Sequence, residues 1–245
     1  MSRRARLWMV GIAGAALAVV LASAFLDLPA FGGSHHPYRT AAVHAAVAHR
    51  TANAVSSVNF DQRGLDTLGE ESILFVSIIG VSALLRPTKE EREAGPSDTG
   101  RVMEATRVLG YAMIPLALII GLDVIAHGVV TPGGGFQGGI VLATAIHLLY
   151  VAGSYGPLQR LRPVRIFEHG EAIGAATFAC FGIAGAATTL GFLANTLPLG
   201  TFGQLFSAGT VPLLNGAVGI EVASGVIVLV AKFLDQAILL GPRPR

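Results

Sequence analysis

The groups able to do chemistry in this chain are few, and most are ionisable side chains set in apolar surroundings. Glu221 stands near the middle of an otherwise uncharged run, 211–230. Its neighbours at helical spacing are Ala217, Val218, Ser224 and Gly225. Such small residues let a second helix approach, so the carboxyl is expected to point into a helix bundle. An ionised carboxylate is costly at that depth, which leaves two readings: a proton-exchanging group, or a neutral hydrogen-bonding link between helices. Asp123 and His127 lie four apart, on one helix face. A carboxylate–imidazole pair can relay protons, since imidazole titrates near neutral pH; it can equally stabilise the turn that follows. Glu70 and Glu71 sit at the start of a short apolar run, 72–85, where the alternatives are an ion-path role or a helix-start role. Glu168 and Glu171 share a face at the mouth of another run and read as a solvated interfacial pair. Thr144, His147 and Tyr150 share a face and read as a hydrogen-bonded packing group.

One uncharged stretch is unlike the rest: residues 131–139, Thr-Pro-Gly-Gly-Gly-Phe-Gln-Gly-Gly. It lacks the Lys-Ser/Thr of a phosphate-binding loop. Pro132 limits the preceding helix. Gly133, Gly134 and Gly135 permit a tight reversal, while Gly138 and Gly139 repeat the small-residue spacing that allows close helix packing. Phe136 is expected to anchor in the apolar phase and Gln137 to reach a neighbour or a polar passage. No Ser/His/Asp constellation is present, so the chain is read as a non-enzyme needing no cofactor. The one cysteine, Cys180, is a packing residue. A polar loop holds His35, His36, His44 and His49 without carboxylate or cysteine ligands at metal spacing, so no metal site is expected. A net charge of +2 gives no basis for nucleic-acid binding.

The elements that must carry these groups are membrane helices. Of the 245 residues, 52% are hydrophobic and 13% charged, with mean hydropathy +0.63; soluble domains carry about 25% charged residues. The apolar runs at 7–26, 65–85, 108–126, 138–151, 172–197 and 211–230 predict an all-α, polytopic membrane protein of six transmembrane helices, two plus four. In the second run the helix start is expected at Asp66 or Thr67 acting as a cap, and the loop before it is expected to be partly helical over 38–55. The first run also resembles a signal peptide, with Ala22-Ser-Ala24 as a cleavage pattern; the retained-helix reading is adopted. With the N-terminus inside, the inner segments hold fourteen of the seventeen Lys and Arg residues. The positive-inside rule therefore places both termini in the cytoplasm and the protein in the cell membrane. The basic, Pro- and Gly-containing segment 87–107 marks a cytoplasmic linker between domains 1–86 and 108–245.

The stretch from His127 to Gly139, with its Pro-Gly-Gly-Gly-Phe core, resembles the signature turn of the MnhB family. That family supplies the B subunit of Mrp-type multisubunit sodium/proton antiporters and a related subunit of membrane-bound hydrogenases. The resemblance covers about residues 101–240. Residues 60–71, Phe-Asp-Gln-Arg-Gly-Leu-Asp-Thr-Leu-Gly-Glu-Glu, and 74–86 resemble the MbhE-type segment, a two-helix module around an outer loop. The chain thus looks like an MbhE–MnhB fusion. The resemblance implies a membrane subunit that works only beside large antiporter-like partner subunits, with Na⁺ and H⁺ as the transported ions. It places Glu70 at the acidic position of the matched pattern and leaves Glu71, Asp123, His127 and Glu221 as further ion-path candidates. The alternative it implies is an energy-coupling membrane subunit of a hydrogenase-like complex.

Overall fold

The computed structural model describes residues 3–28, 32–33, 36–86, 102–152, 164–188 and 190–239. Those residues are helical or loop, without strands. The helices are α1 (Arg3–Leu26), α2 (Pro37–Ala48), α3 (Ala54–Ser57), α4 (Gly64–Leu84), α5 (Glu104–Ala126), α6 (Gly135–Ala152), α7 (Val164–Ala186) and α8 (Val211–Leu239), with a π-turn at Val58–Gln62 before α4. The chain divides into two compact units, residues 1–40 and 41–245. In the first, α1 is one continuous apolar helix of 24 residues.

Five helices among the described residues, α1, α4, α5, α6 and α8, are long and apolar enough to cross a membrane. α7 is equally long at 23 residues, but its first two turns carry Arg165, Glu168, His169 and Glu171, which lowers its apolar character. The expected span at 172–197 is therefore displaced: the helix begins eight residues earlier and stops at Ala186. It stops because Thr188 turns the chain, its hydroxyl donating to the Gly185 carbonyl at 2.6 Å and accepting from the Leu190 N–H at 3.2 Å. The Leu193 N–H then returns to the Gly182 carbonyl at 3.3 Å. Apolar residues that hydropathy alone would add to the span become a loop folded back on the helix end.

Within the second unit, α8 is the axis. It packs on α4, α5, α6 and α7, and 61% of its most apolar stretch is buried, more than in any other candidate span. A polar group on such a helix is cut off from water and depends on what the neighbouring helices offer it. α5 and α6 form an antiparallel hairpin. A Cβ placed on Gly110 would lie 2.5 Å from Ala152 Cβ, and one on Gly121 would lie 2.8 Å from Leu142. Glycine at these points lets the two backbones approach closely. The apolar core gathers where this hairpin turns, from Phe60, Val129, Phe178, Leu193, Val211, Leu214, Val218 and Val222. Here the Phe60 and Phe178 rings sit 6.2 Å apart in a tilted arrangement.

The loop before α4 is partly helical as expected, in α2 to Ala48 and, after Arg50 at a φ of 61°, in a separate short helix opened by Asn53. One local expectation at the start of the unit is corrected. Neither Asp66 nor Thr67 caps α4. The helix follows directly from the π-turn at Gly64, which already places both residues inside it. Asp66 pairs with Arg63, and the Thr67 hydroxyl donates to the Asn59 carbonyl at 2.7 Å. α4 buries Thr67, Glu71 and Ile78 and lies in the same compact unit as α5–α8. Most of the 87–107 linker, and Arg160, Arg162, Arg243 and Arg245, lie outside the described residues.

Candidate functional site

Two arrangements stand out, and α8 takes part in both. The first is the glycine stretch. Gly133 and Gly134 adopt φ of 144° and 138°, a backbone region that favours glycine, and α6 starts at Gly135. Two asparagines hold the reversal. The Asn215 side chain accepts from the Gly135 N–H at 2.9 Å and donates to the Ser56 hydroxyl at 3.0 Å and the Val211 carbonyl at 3.1 Å. Asn53 donates from its amide side chain to the Gly128 and Thr131 carbonyls at 2.8 and 2.9 Å, and from its backbone to the Val129 carbonyl at 2.9 Å. Its side-chain oxygen caps α3 at the same time. Gly135 and Gly139 then press on α8, and Gly138 presses on α5 beside Ile125. Phe136 packs on the apolar core, and Gln137 is exposed. The backbone polar groups held by Asn53 and Asn215 are thus directed at other parts of the protein.

The second arrangement is a row of carboxyls along the seams of α4, α7 and α8. Glu71, Glu171 and Glu221 are 1%, 4% and 0% exposed. The Glu71 and Glu221 carboxyls meet between α4 and α8, and Glu171 lies within electrostatic reach of both Glu221 and Glu168. Small residues make the row possible. A Cβ on Gly174 would stand 2.6 Å from Glu221 Cβ, and one on Gly225 would stand 2.5 Å from Ile78 and 3.6 Å from Glu171 Cδ. Neither carboxyl oxygen of Glu71 or Glu221, nor Oε1 of Glu171, receives a hydrogen bond from a protein donor. Two ionised carboxylates are acceptors only; one proton between them turns one into a donor to the other. Among the described residues, no three His, Cys, Asp or Glu side chains are placed to hold a metal ion.

The sequence-derived candidates separate in space. Glu71 and Glu221 come together in the core. Glu70 is exposed on α4. Asp123 and His127 pair at 2.9 Å, with side chains 63% and 39% exposed, at the end of α5 beside the glycine turn. Glu171 is buried in the bundle, two turns into α7, where a solvated interfacial position was expected. Its partner in that expectation, Glu168, is exposed and pairs instead with Lys232 of α8 at 3.3 Å. Sequence reasoning passed over Asn53 and Asn215. Asn53 had a readable signal, an N-capping residue directly before Ala54. Thr144 donates to the Ile140 carbonyl at 2.9 Å, a bond within its own helix.

A domain described as related to the MnhB subunit of Na⁺/H⁺ antiporters matches residues 105–228, half of the chain. The chain belongs to the MnhB family. As an MnhB-family protein with several membrane-length helices it is a multi-pass protein of the cell membrane and a membrane component of antiporter type. Among relatives, a protein of Methanocaldococcus jannaschii described as uncharacterized is 34% identical over 194 residues, covering 71% of this chain and 73% of that protein. A Rhizobium meliloti protein described as the A/B component of a probable K⁺/H⁺ antiporter is 27% identical over 150 residues, covering 51% of this chain but 15% of that much longer protein. Among solved structures, a chain of the archaeal membrane-bound sulfane sulfur reductase, a respiratory membrane complex, superposes with a TM-score of 0.71 at 27% identity, covering 94% of this chain and 98% of that one. A chain of the Mrp complex from Dietzia sp. shares the fold with a TM-score of 0.66 at 20% identity, covering 95% of this MnhB-family chain and 26% of the other.

Proposed function

We propose that this chain is a membrane subunit of a multisubunit monovalent cation/proton antiporter, and that Glu71 and Glu221 exchange protons within it. The observation that carries the reading is the buried meeting of those two carboxyls on different helices without a protein donor. Two such groups cannot both ionise in an apolar site without large cost, so the pair has a proton to hold and to release. The carboxyls string along a seam rather than converge, which suits proton transfer better than capture of a metal ion. Glu70, exposed beside Glu71, and the Asp123–His127 pair at the end of α5 take no step in this row. In the same reading residues 1–86 form the MbhE-like module, 108–245 the MnhB-like domain, and both termini face the cytoplasm. The chain works with other subunits of the complex in the lipid bilayer, and Na⁺ and H⁺ are the transported ions.

The test is cation-induced collapse of a pH gradient in inside-out membrane vesicles from cells in which the variant is the sole copy of the chain. Glu221→Gln and Glu71→Gln should each abolish the response while the complex still assembles. Wild-type rates from both variants would refute the exchange role.

A second reading is favoured by one observation: the near-complete coverage of the sulfane sulfur reductase chain. There the chain would be an energy-coupling membrane subunit of a redox complex. Affinity purification through this chain separates the two. Recovery of antiporter-like subunits alone supports the first reading, and recovery of Fe–S or metal-containing redox subunits supports the second.

A further inference from the structure

The carboxyl row does not stop at Glu171. Glu168 lies three residues earlier on the same face of α7, and its carboxylate meets Lys232 Nζ at 3.3 Å. Lys232 is eleven residues beyond Glu221, roughly three turns, and so lies on the same face of α8. The two side chains are partly exposed, 43% for Glu168 and 23% for Lys232, whereas Glu171 is 4% exposed. The exposure falls along the row from Glu168 to Glu221. The seam between these points is lined by small groups. Gly170 lies directly against Ser224, and Gly225 faces the Glu171 carboxyl. The row therefore runs from a partly exposed ion pair at the end where α7 begins, past Glu171, to the buried pair between α4 and α8.

We infer that the Glu168–Lys232 pair is the water-facing access point of the carboxyl row, and that protons reach Glu221 and Glu71 through Glu171. The inference rests on the proton-exchange reading of Glu71 and Glu221. Lys232 holds Glu168 in one position, and release of that contact lets the Glu168 carboxylate take a proton from water. Glu168 passes it toward Glu171, and Glu171 in turn passes a proton to Glu221. Each carboxyl gives up one proton for the one it accepts, so no co-reactant is needed. The groups that bear on Glu171 are Glu168 on its own helix and Glu221 on α8, with Lys232 reaching it only through Glu168. On α4 the nearest ionisable member of the row is Glu71.

The test uses the assembled complex in inside-out vesicles, with NaCl and KCl pulses and a pH-sensitive dye, and with complex abundance measured on native gels. Glu171→Gln should slow the initial rate about 100-fold or more, within the 10²–10⁴-fold range of a positioned proton-transfer group, and Lys232→Met should slow it as well. Lys232→Met should also shift the pH profile of the rate. The reversal Glu168→Lys with Lys232→Glu restores an ion pair but removes the carboxylate from position 168, so the rate should stay slow, whereas a merely structural ion pair would be recovered by it. In a Cys180→Ala background, Glu168→Cys should react with a membrane-impermeant thiol reagent from one side only. If Glu171→Gln and Lys232→Met keep the wild-type rate and pH profile while Glu221→Gln stops transport, this access route is overturned and the proposed exchange pair stands. If Lys232→Met depletes the complex, the reversal pair and the Glu168→Cys labelling decide in its place: a thiol at that position that stays unreactive in an assembled complex overturns the route.

Discussion

Asn215→Ala is the sharpest test of how the glycine turn is held. The substitution removes three hydrogen bonds, to the Gly135 N–H, the Ser56 hydroxyl and the Val211 carbonyl. The losses are unequal. Val211 lies four residues before Asn215, so its carbonyl keeps its ordinary helical bond. The Ser56 hydroxyl can rotate toward another acceptor. The Gly135 N–H is at a helix start, where the first donors have no partner inside the helix, and it is buried. An orphaned buried donor costs about 1–3 kcal/mol, and hydrogen bonds between membrane helices are worth about 0.6–2 kcal/mol each. The total is about 2–4 kcal/mol, which for a chain of this size corresponds to a fall in Tm of roughly 5–15 °C. The measurement is loss of helical circular dichroism on heating the detergent-solubilised chain, with Asn53→Ala as a companion expected to fall similarly. A Tm within about 1 °C of wild type for Asn215→Ala, a shift too small for any orphaned buried donor, would show that Asn215 does not hold the turn.

The remaining expectations follow from the same geometry. Glu71→Gln combined with Glu221→Gln should impair proton movement no more than either alone, because residues acting as a unit are non-additive; additive losses in a double-mutant cycle of vesicle rates would show two independent groups. Gly174→Val should force α7 from α8, since even a Cβ there would lie 2.6 Å from Glu221 Cβ and 2.7 Å from the Ala217 carbonyl; overpacking of about 1–3 kcal/mol should appear as a lower Tm with weaker complex assembly on native gels. Asp123→Asn should change stability by less than about 1 kcal/mol, as for exposed ion pairs generally, and a large fall in Tm would place that pair in the structural core instead.

What was legible in the sequence was the scale of things: helical runs of membrane length, the turn between α5 and α6, and Glu221 pointing inward from a face of small residues. What was not legible depended on helix rotation and helix ends. Glu70 and Glu71 are about 100° apart on a helix, and only one can face α8. Residues 72–85 are apolar on all sides, so no stripe marks the inner face. The buried set Gly64, Thr67, Glu71 and Ile78 has a spacing that becomes meaningful only once α4 is known to begin at Gly64. Glu171 was placed at a mouth because the span was counted from Ala172. Counted from Val164, the same residue is two turns deep, and Gly170 and Gly174 on either side are the small residues that let α8 come against it.

The glycine turn and the carboxyl row are connected through α8. Asn215 ties α8 to the turn, and Glu221 follows six residues later, about 9 Å along the axis. Val218 packs against Gly135, while Gly219 and Val222 meet Gly139. These contacts fix both the height and the rotation of α8 relative to the α5–α6 hairpin. A slip of one residue would turn Glu221 by about 100°, away from Glu71 and Gly174. The family's most recognisable residues therefore act on the chemistry by position rather than by binding a ligand. Their glycines, with Asn215, set the register of the helix that carries Glu221 and, three turns further on, Lys232.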